Sequence, residues 1–352
     1  MAEIEQKETG KKVLLVSSSP HVLESATSRR IMFEVVIGCV PAVAAAIYFF
    51  RLSAVMVLVT SLVVALASEA VFNWLRKRPL TIGDGSVIIT ALILALSLPS
   101  TIPAWAAAVG VIVAVIVGKM LFGGLGSNIF NPAMVGRAFL MACFGTMMTN
   151  WVAPASETSP NEPQQVQATS QPTPLALAKQ PIKDRANADI PANLKATPYE
   201  VNQGIENMFL GRTSGSMGET SAICWLIGGV FLLLRRTITW HIPVAVLGSA
   251  GLIATIAWWS NSAVYAHPLV HLFGGGLMMG AFFIATDPVT CPLANRGRII
   301  FGIGVGVLVM LIRLLGGYPE GVMYAVLLMN GMTPLLDLLT RPTPLGGHVR
   351  AG

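Results

Sequence analysis

The chain has 352 residues, of which 54% are hydrophobic and only 11% charged, with a formal net charge of +6 and a mean hydropathy of +0.68. Soluble domains carry roughly a quarter charged residues, so this composition describes an integral membrane protein solvated by lipid. Most Lys and Arg stand beside apolar runs, where they read as topology signals, and no nucleic-acid partner is expected.

The chain opens with a polar tail, 1–30, that lacks a short apolar core with a cleavage site, so the first apolar run reads as a span and not as a removed signal. A crossing helix needs about 20 mainly apolar residues. Ten candidates follow at 31–50, 52–75, 85–98, 103–121, 132–149, 222–234, 242–259, 268–285, 299–315 and 320–340. Two of them, 85–98 and 222–234, are short for a span. Either their ends are misplaced or they are discontinuous helices facing a cavity.

Between the fifth and sixth candidates the chain turns polar, rich in Pro, Gln, Ser and Thr over 151–221. Its 154–174 stretch has little apolar surface to bury and reads as a disordered spacer. Apolar residues return over 190–210, which predicts that this part folds back on the protein. The predicted division is therefore a tail over 1–30, a first membrane repeat over 31–150, the loop 151–221, a second repeat over 222–340 and a tail over 341–352.

Under ten-span threading, Arg29-Arg30, Arg76-Lys77-Arg78, Lys119, Arg235-Arg236, Arg296 with Arg298, and Arg341 fall on one side. Segments 99–103 and 260–267, on the other side, have no basic residue. The positive-inside rule then makes both termini cytoplasmic and the loop 151–221 extracytoplasmic. The halves also share a pattern. GSVIITALILALSLPSTIP from Gly85 and GGGLMMGAFFIATDPVTCP from Gly274 each open on glycine and hold two prolines at one spacing, Pro99 with Pro103 and Pro288 with Pro292. Phe122-Gly123-Gly124 similarly matches Leu315-Gly316-Gly317. Five spans per half make this an inverted repeat, whose functional axis lies at the bilayer centre.

Glu34, Glu69, Asp84, Lys119, Arg137, Asp287, Arg313 and Asp337 fall in or beside apolar runs. Charges there pair, face a cavity, or sit near an end. Lys119, Arg137 and Asp84 lie close enough to the predicted cytoplasmic edge to snorkel. Glu69 and Asp287 are the candidates for an ion path, Asp287 because Pro288 frees a backbone carbonyl beside it. Capping of a broken helix is the other reading of Asp287. His241, His267 and His271 read as structural residues at span ends. Four scattered cysteines, Cys39, Cys143, Cys224 and Cys291, form no C-x-x-C spacing, so no metal or cluster site made by this chain alone is expected.

At GGLGSNIFNPAMVGR (123–137) glycines allow a tight turn and Pro132 suits a first helical position. Together with DGSVIITALILALSLP (84–99), HIPV (241–244), TDPVT (286–290), NRGRIIFG (295–302) and GGYPEGV (316–322), this string resembles one membrane family. That family is the D component of the Rnf complex, homologous to the B component of the sodium-pumping NADH:quinone oxidoreductase. The resemblance covers about 30–342 and leaves out the 151–190 insert and the tails. It implies an all-α polytopic component, in a bacterial inner membrane, of a redox-driven ion pump working between ferredoxin and NAD. It also implies the other Rnf components (A, B, C, E and G) as partners, with NAD and ferredoxin handled by them.

The resemblance further implies FMN joined by its phosphate to a threonine of an external loop. The matching residues are Ala196-Thr197-Pro198, which makes Thr197 the candidate acceptor, although Leu194 stands where the family commonly has Ser or Thr. Thr220, in GSMGETS (215–221), is the second choice, with Gly218-Glu219 beside it read as packing and helix capping. Riboflavin held non-covalently is implied only loosely. Phe282, Phe283, Trp258 and Trp259 could stack on it, although lining the lipid interface suits the tryptophans better. On fold alone, a small-solute channel or carrier fits the same inverted repeat, and a structural anchor for soluble partners is a third reading. A covalent flavin separates the first reading from both.

Overall fold

The computed structural model describes residues 27–79, 81–152, 172–186, 204–219 and 221–341, and every regular element in them is helical. Among the described residues, five helices are long and apolar enough to cross a membrane: Ser28–Leu75, Ala104–Phe122, His241–Ser260, Asn295–Leu314 and Val322–Leu339. Their outer faces are apolar, with Ile37, Val59, Trp74, Leu252, Ile256 and Leu328 exposed, while Glu69, Lys119 and Arg313 are buried. Apolar residues outside and charges inside is the arrangement that lipid solvent selects.

The first of these helices is two. Arg51 leaves helical geometry at φ 49°, ψ −125°. Met32 comes within 3.6 Å of a Cβ built on Gly85, and the next residue, Ser86, accepts from Lys119, whose ammonium also binds Glu69. A straight helix would hold Met32 and Glu69 about 55 Å apart. The chain therefore folds back at Arg51, as the separate candidates 31–50 and 52–75 require.

Both short candidates are short helices, Ser86–Leu96 and Ala222–Leu234, so their ends were not misplaced. Their irregular flanks meet: Gly218 N donates to Leu96 O at 2.6 Å and Met217 N to Leu98 O at 3.0 Å. Non-helical backbone is tolerated at such depth only where protein satisfies it. The candidate 268–285 is not one helix. It breaks into Pro268–Phe273, Leu277–Met279 and a π-helical turn, Gly280–Ile284. Gly275, at φ 67°, makes the break. The carbonyls freed at His271 and Gly274 accept from the Arg313 guanidinium.

The polar segment holds a helix that the sequence reading missed. Pro174–Ala186 docks on the bundle, with Lys179 donating to Ile312 O at 3.2 Å and to Tyr318 O at 2.8 Å. Burial, and then the charge of Lys183, hold the Lys179 ammonium below its ordinary range. The described end of the apolar return does fold back: helix Ile205–Leu210 buries Met208 and sets Phe209 5.2 Å from Phe273.

Small residues let the helices touch. A Cβ on Gly302 would lie 2.6 Å from that of Ala245, and one on Gly306 would collide with Ser249 Oγ. Gly136 sits the same way against Gly110 and Ala114. Such small-residue seams replace the hydrophobic drive that lipid removes. Gly228 meets Gly38 backbone to backbone, and an added Cβ would collide with Gly38 O. Gly228→Ala should therefore lower stability by about 1–3 kcal/mol through overpacking. The thermal unfolding midpoint in detergent reads this loss, and Gly248→Ala, whose Cβ meets nothing within 4 Å, should leave it in place.

Candidate functional site

Two of the basic clusters end helices. Lys77 (φ 52°) and Arg236 (φ 58°) stand just beyond Leu75 and Leu234, where Arg78 N bonds Asn73 O and Thr237 N bonds Leu232 O. These are Schellman-type turns, and cations there face the negative ends of the helices. Glu34 gathers Arg30, Arg235 and Thr237 around its carboxylate. Beside this end lies a cavity of about 60 Å³. Ile89, Ile93, Phe282 and Phe283 supply apolar wall, and Lys119, Thr90, Asn128 and Asp287 supply polar groups.

Asp287 reaches this cavity as part of a network joining the two halves. Its Oδ1 accepts from Val289 N at 3.2 Å, and its Oδ2 from Thr290 Oγ1 at 3.3 Å and from Asn131 Nδ2 at 3.4 Å. Asn131 caps its own helix through Met134 N and donates its backbone N–H to Asn330 Oδ1 at 3.1 Å. The first two contacts are those of a cap. The third turns the carboxylate toward the opposite half. Glu69 does not line the cavity. It lies behind Lys119, which bonds it at 3.2 Å and bonds Ser86 Oγ at 2.7 Å.

A second cavity, also about 60 Å³, lies toward the polar segment. Arg137, from helix Pro132–Cys143, reaches Glu320 at 2.5 Å and Glu219 at 3.7 Å. Tyr318, Tyr324, Trp151 and Met148 close around them.

Lys119 and Arg137 do not snorkel. They are buried because carboxylates lie within reach inside the bundle, and that neutralisation outweighs a reach to the surface. Asp84 stays near the surface and caps Ser86 N. Glu219 does not cap the following helix, whose start at Ser221 has no side-chain cap; it faces Arg137 instead. Gly218 does pack, with its carbonyl accepting from Trp225 Nε1. His271 is buried rather than interfacial, while His267 caps Leu269 N. Phe282 and Phe283 are buried and Trp259 is exposed. Thr197 and Thr220 lie outside the described residues. Asn131 and Asn330 went unread as a linked pair, and the available signal was two asparagines in or beside apolar helices, where an amide needs a partner.

Fold and site together define a polytopic helical membrane protein with two charged cavities inside its bundle. The chain belongs to the NQR2, RnfD, RnfE family, which it matches over residues 15–346. That match includes the 151–190 insert that the motif resemblance left out. The chain is 39% identical to the D component of the proton-translocating ferredoxin:NAD(+) oxidoreductase complex of Clostridium ljungdahlii over 349 residues, covering 98% of this chain and 99% of that one. It is 38% identical to the D component of the ion-translocating oxidoreductase complex of Escherichia fergusonii over 348 residues, 95% of this chain and 99% of that one.

The Lys119–Glu69 pair yields a stability test, since both side chains are at most 3% exposed. Lys119→Met strands a buried carboxylate and should cost about 3–5 kcal/mol. Lys119→Met with Glu69→Gln should recover most of that loss. Detergent unfolding of the four proteins in this cycle checks it, and additive losses would show that the two groups do not interact.

Proposed function

We propose that the chain is a membrane component of a redox-driven, ion-translocating ferredoxin:NAD oxidoreductase complex, with covalently bound FMN as an electron relay. The near full-length likeness to the D components of complexes carrying those names supports this reading most directly. The chain acts within an assembly whose other Rnf components, A, B, C, E and G, handle ferredoxin and NAD. When bound, a flavin supplies one- or two-electron carriage, and this chain supplies position and environment.

Ten spans in two inverted five-helix repeats, with both termini cytoplasmic and 151–221 extracytoplasmic, complete the reading. Reciprocal links support the repeat. Arg137 reaches Glu320, just ahead of the last long helix, and Asn330 in that helix reaches Asn131, just ahead of the helix carrying Arg137. Lys119 binds Ser86, at the head of the short helix in its half, and Arg313 binds Gly274, ahead of the corresponding segment. The gathering of Arg30 and Arg235 at one end supports the sidedness.

Thr197 is the proposed FMN acceptor, with Thr220 second. The fold offers a further Thr-Pro pair, Thr173-Pro174, in a cleft with Ser214, Glu219 and Gly274. Thr173 Oγ1 accepts from Ala176 N at 3.2 Å at the head of helix Pro174–Ala186, the positive end of that helix. For a non-covalent riboflavin, Phe282, Phe283, Asn128 and Lys119 supply aromatic wall and polar donors, but a cavity of about 60 Å³ is smaller than the flavin ring, so binding there requires the walls to part. Asp287 and Glu69 are the proposed ion-path carboxylates.

In-gel fluorescence of the denatured chain tests the covalent flavin. Thr197→Ala should abolish the band and leave the protein inserted. Loss instead in Thr220→Ala or Thr173→Ala moves the acceptor there, and no band in the native chain favours a channel or carrier. Asp287→Asn should keep the flavin and the assembly but lower ion uptake per electron in vesicles. Uptake per electron equal to that of the native complex would leave Asp287 as a cap alone.

A further inference from the structure

The cavity toward the polar segment holds more acid than its nearest base can satisfy. Glu219 is buried and its Oε1 has no hydrogen-bond donor. Its nearest cation, Arg137, stands 3.7 Å away and already binds Glu320 at 2.5 Å. Arg313, from helix Asn295–Leu314, directs its terminal nitrogens to the carbonyls of His271 and Gly274. Tyr318 and Tyr324 close the cavity from the segment carrying Glu320. On the other side Lys179 is occupied by the carbonyls of Ile312 and Tyr318. The other oxygen of Glu219 accepts only from Ser216 N, at 3.4 Å, and a buried carboxylate so weakly answered takes a proton or a cation.

We propose that Glu219 and Glu320, sharing Arg137, form a proton-binding site on the polar-segment side of the bundle, with the exchangeable proton held on Glu219 and hydrogen-bonded toward Glu320. Glu69 also leaves one buried oxygen unpaired, but Lys119, at 3.2 Å, pairs with no second carboxylate, and Thr81 donates a hydroxyl to Glu69. Burial first, and then the Glu320 charge, push the Glu219 carboxyl up to about 8, and the protonated form gains a hydrogen bond to Glu320. The protonated form of Glu219 is therefore favoured, and the proton is lost as pH rises through about 8. No bond other than O–H changes: the proton leaves for water and the charge stays on a carboxylate facing Arg137.

The site extends the ion-translocating reading, but its proton can be measured without it. Infrared difference spectroscopy of the purified complex, titrated across neutral and alkaline pH, should show one protonated-carboxyl band with a midpoint near 8. Glu219→Gln should remove the band. Glu320→Gln, which removes a like charge, should keep it and lower its midpoint by about one pH unit or more. A band that persists in Glu219→Gln, or a midpoint unmoved in Glu320→Gln, overturns the assignment. A midpoint that falls as sodium is added replaces the proton by a sodium ion as occupant. Flavin fluorescence and electron transfer on the same samples report the wider function separately.

Discussion

Buried charge is the constraint around which this bundle is arranged. Lipid offers no counter-charge, so each ionised group in the interior must find one within the protein. Among the described residues of the apolar segments, Lys119, Arg137 and Arg313 enter the interior, and each is answered differently. Lys119 meets a carboxylate and a hydroxyl, Arg137 meets two carboxylates, and Arg313 meets the carbonyls of a broken helix. The energetic weight falls on these contacts and not on the ion pairs at the surface. Glu34 also has two arginines, but Arg30 and Arg235 are 52% and 47% exposed, and pairs of that kind contribute at most about 1 kcal/mol. Removing one partner of a dry pair costs several times more.

These answers bind the two halves together at two levels of one helix, Pro132–Cys143. Arg137 to Glu320 and Asn131 to Asn330 and Asp287 are contacts between residues more than 150 positions apart. The broken segments are possible because such contacts exist. Without Arg313, the carbonyls of His271 and Gly274 would face an apolar interior with no donor, and a continuous helix would be the cheaper structure. Glycine seams then bring the helices close enough for short polar side chains to reach across.

The apolar segments were legible because their length and hydropathy reflect one property, the thickness of the hydrocarbon core. The shortness of 85–98 and 222–234 was legible too, and so was the fold-back near Arg51. The break in 268–285 was less so: the glycine run 274–276 was visible, but the donor that stabilises the break, Arg313, lies some forty residues on. Snorkelling for Lys119 and Arg137 was a sound expectation from position along the helix, yet it failed, because distance to the membrane edge can be read from sequence and distance to Glu69 or Glu320 cannot. Helix Pro174–Ala186 was hidden for a different reason. It is polar, with an internal Pro181, and owes its docking to Lys179 reaching carbonyls at the end of another helix.

The two cavities differ in the sense of their charge balance, and that difference follows from the same constraint. In the cavity by the basic clusters, Lys119 is matched by Glu69 behind it, and the Asp287 carboxylate accepts from Val289, Thr290 and Asn131 through both of its oxygens. In the cavity by the polar segment, Arg137 is divided between two acids and satisfies one. An acid bonded through both of its oxygens favours a fixed geometry. An under-answered site favours exchange with a small cation, because occupancy completes its hydrogen bonding. The two cavities are joined by the Asn131–Asn330 contact and by the helix Pro132–Cys143, which Asn131 caps and which carries Arg137.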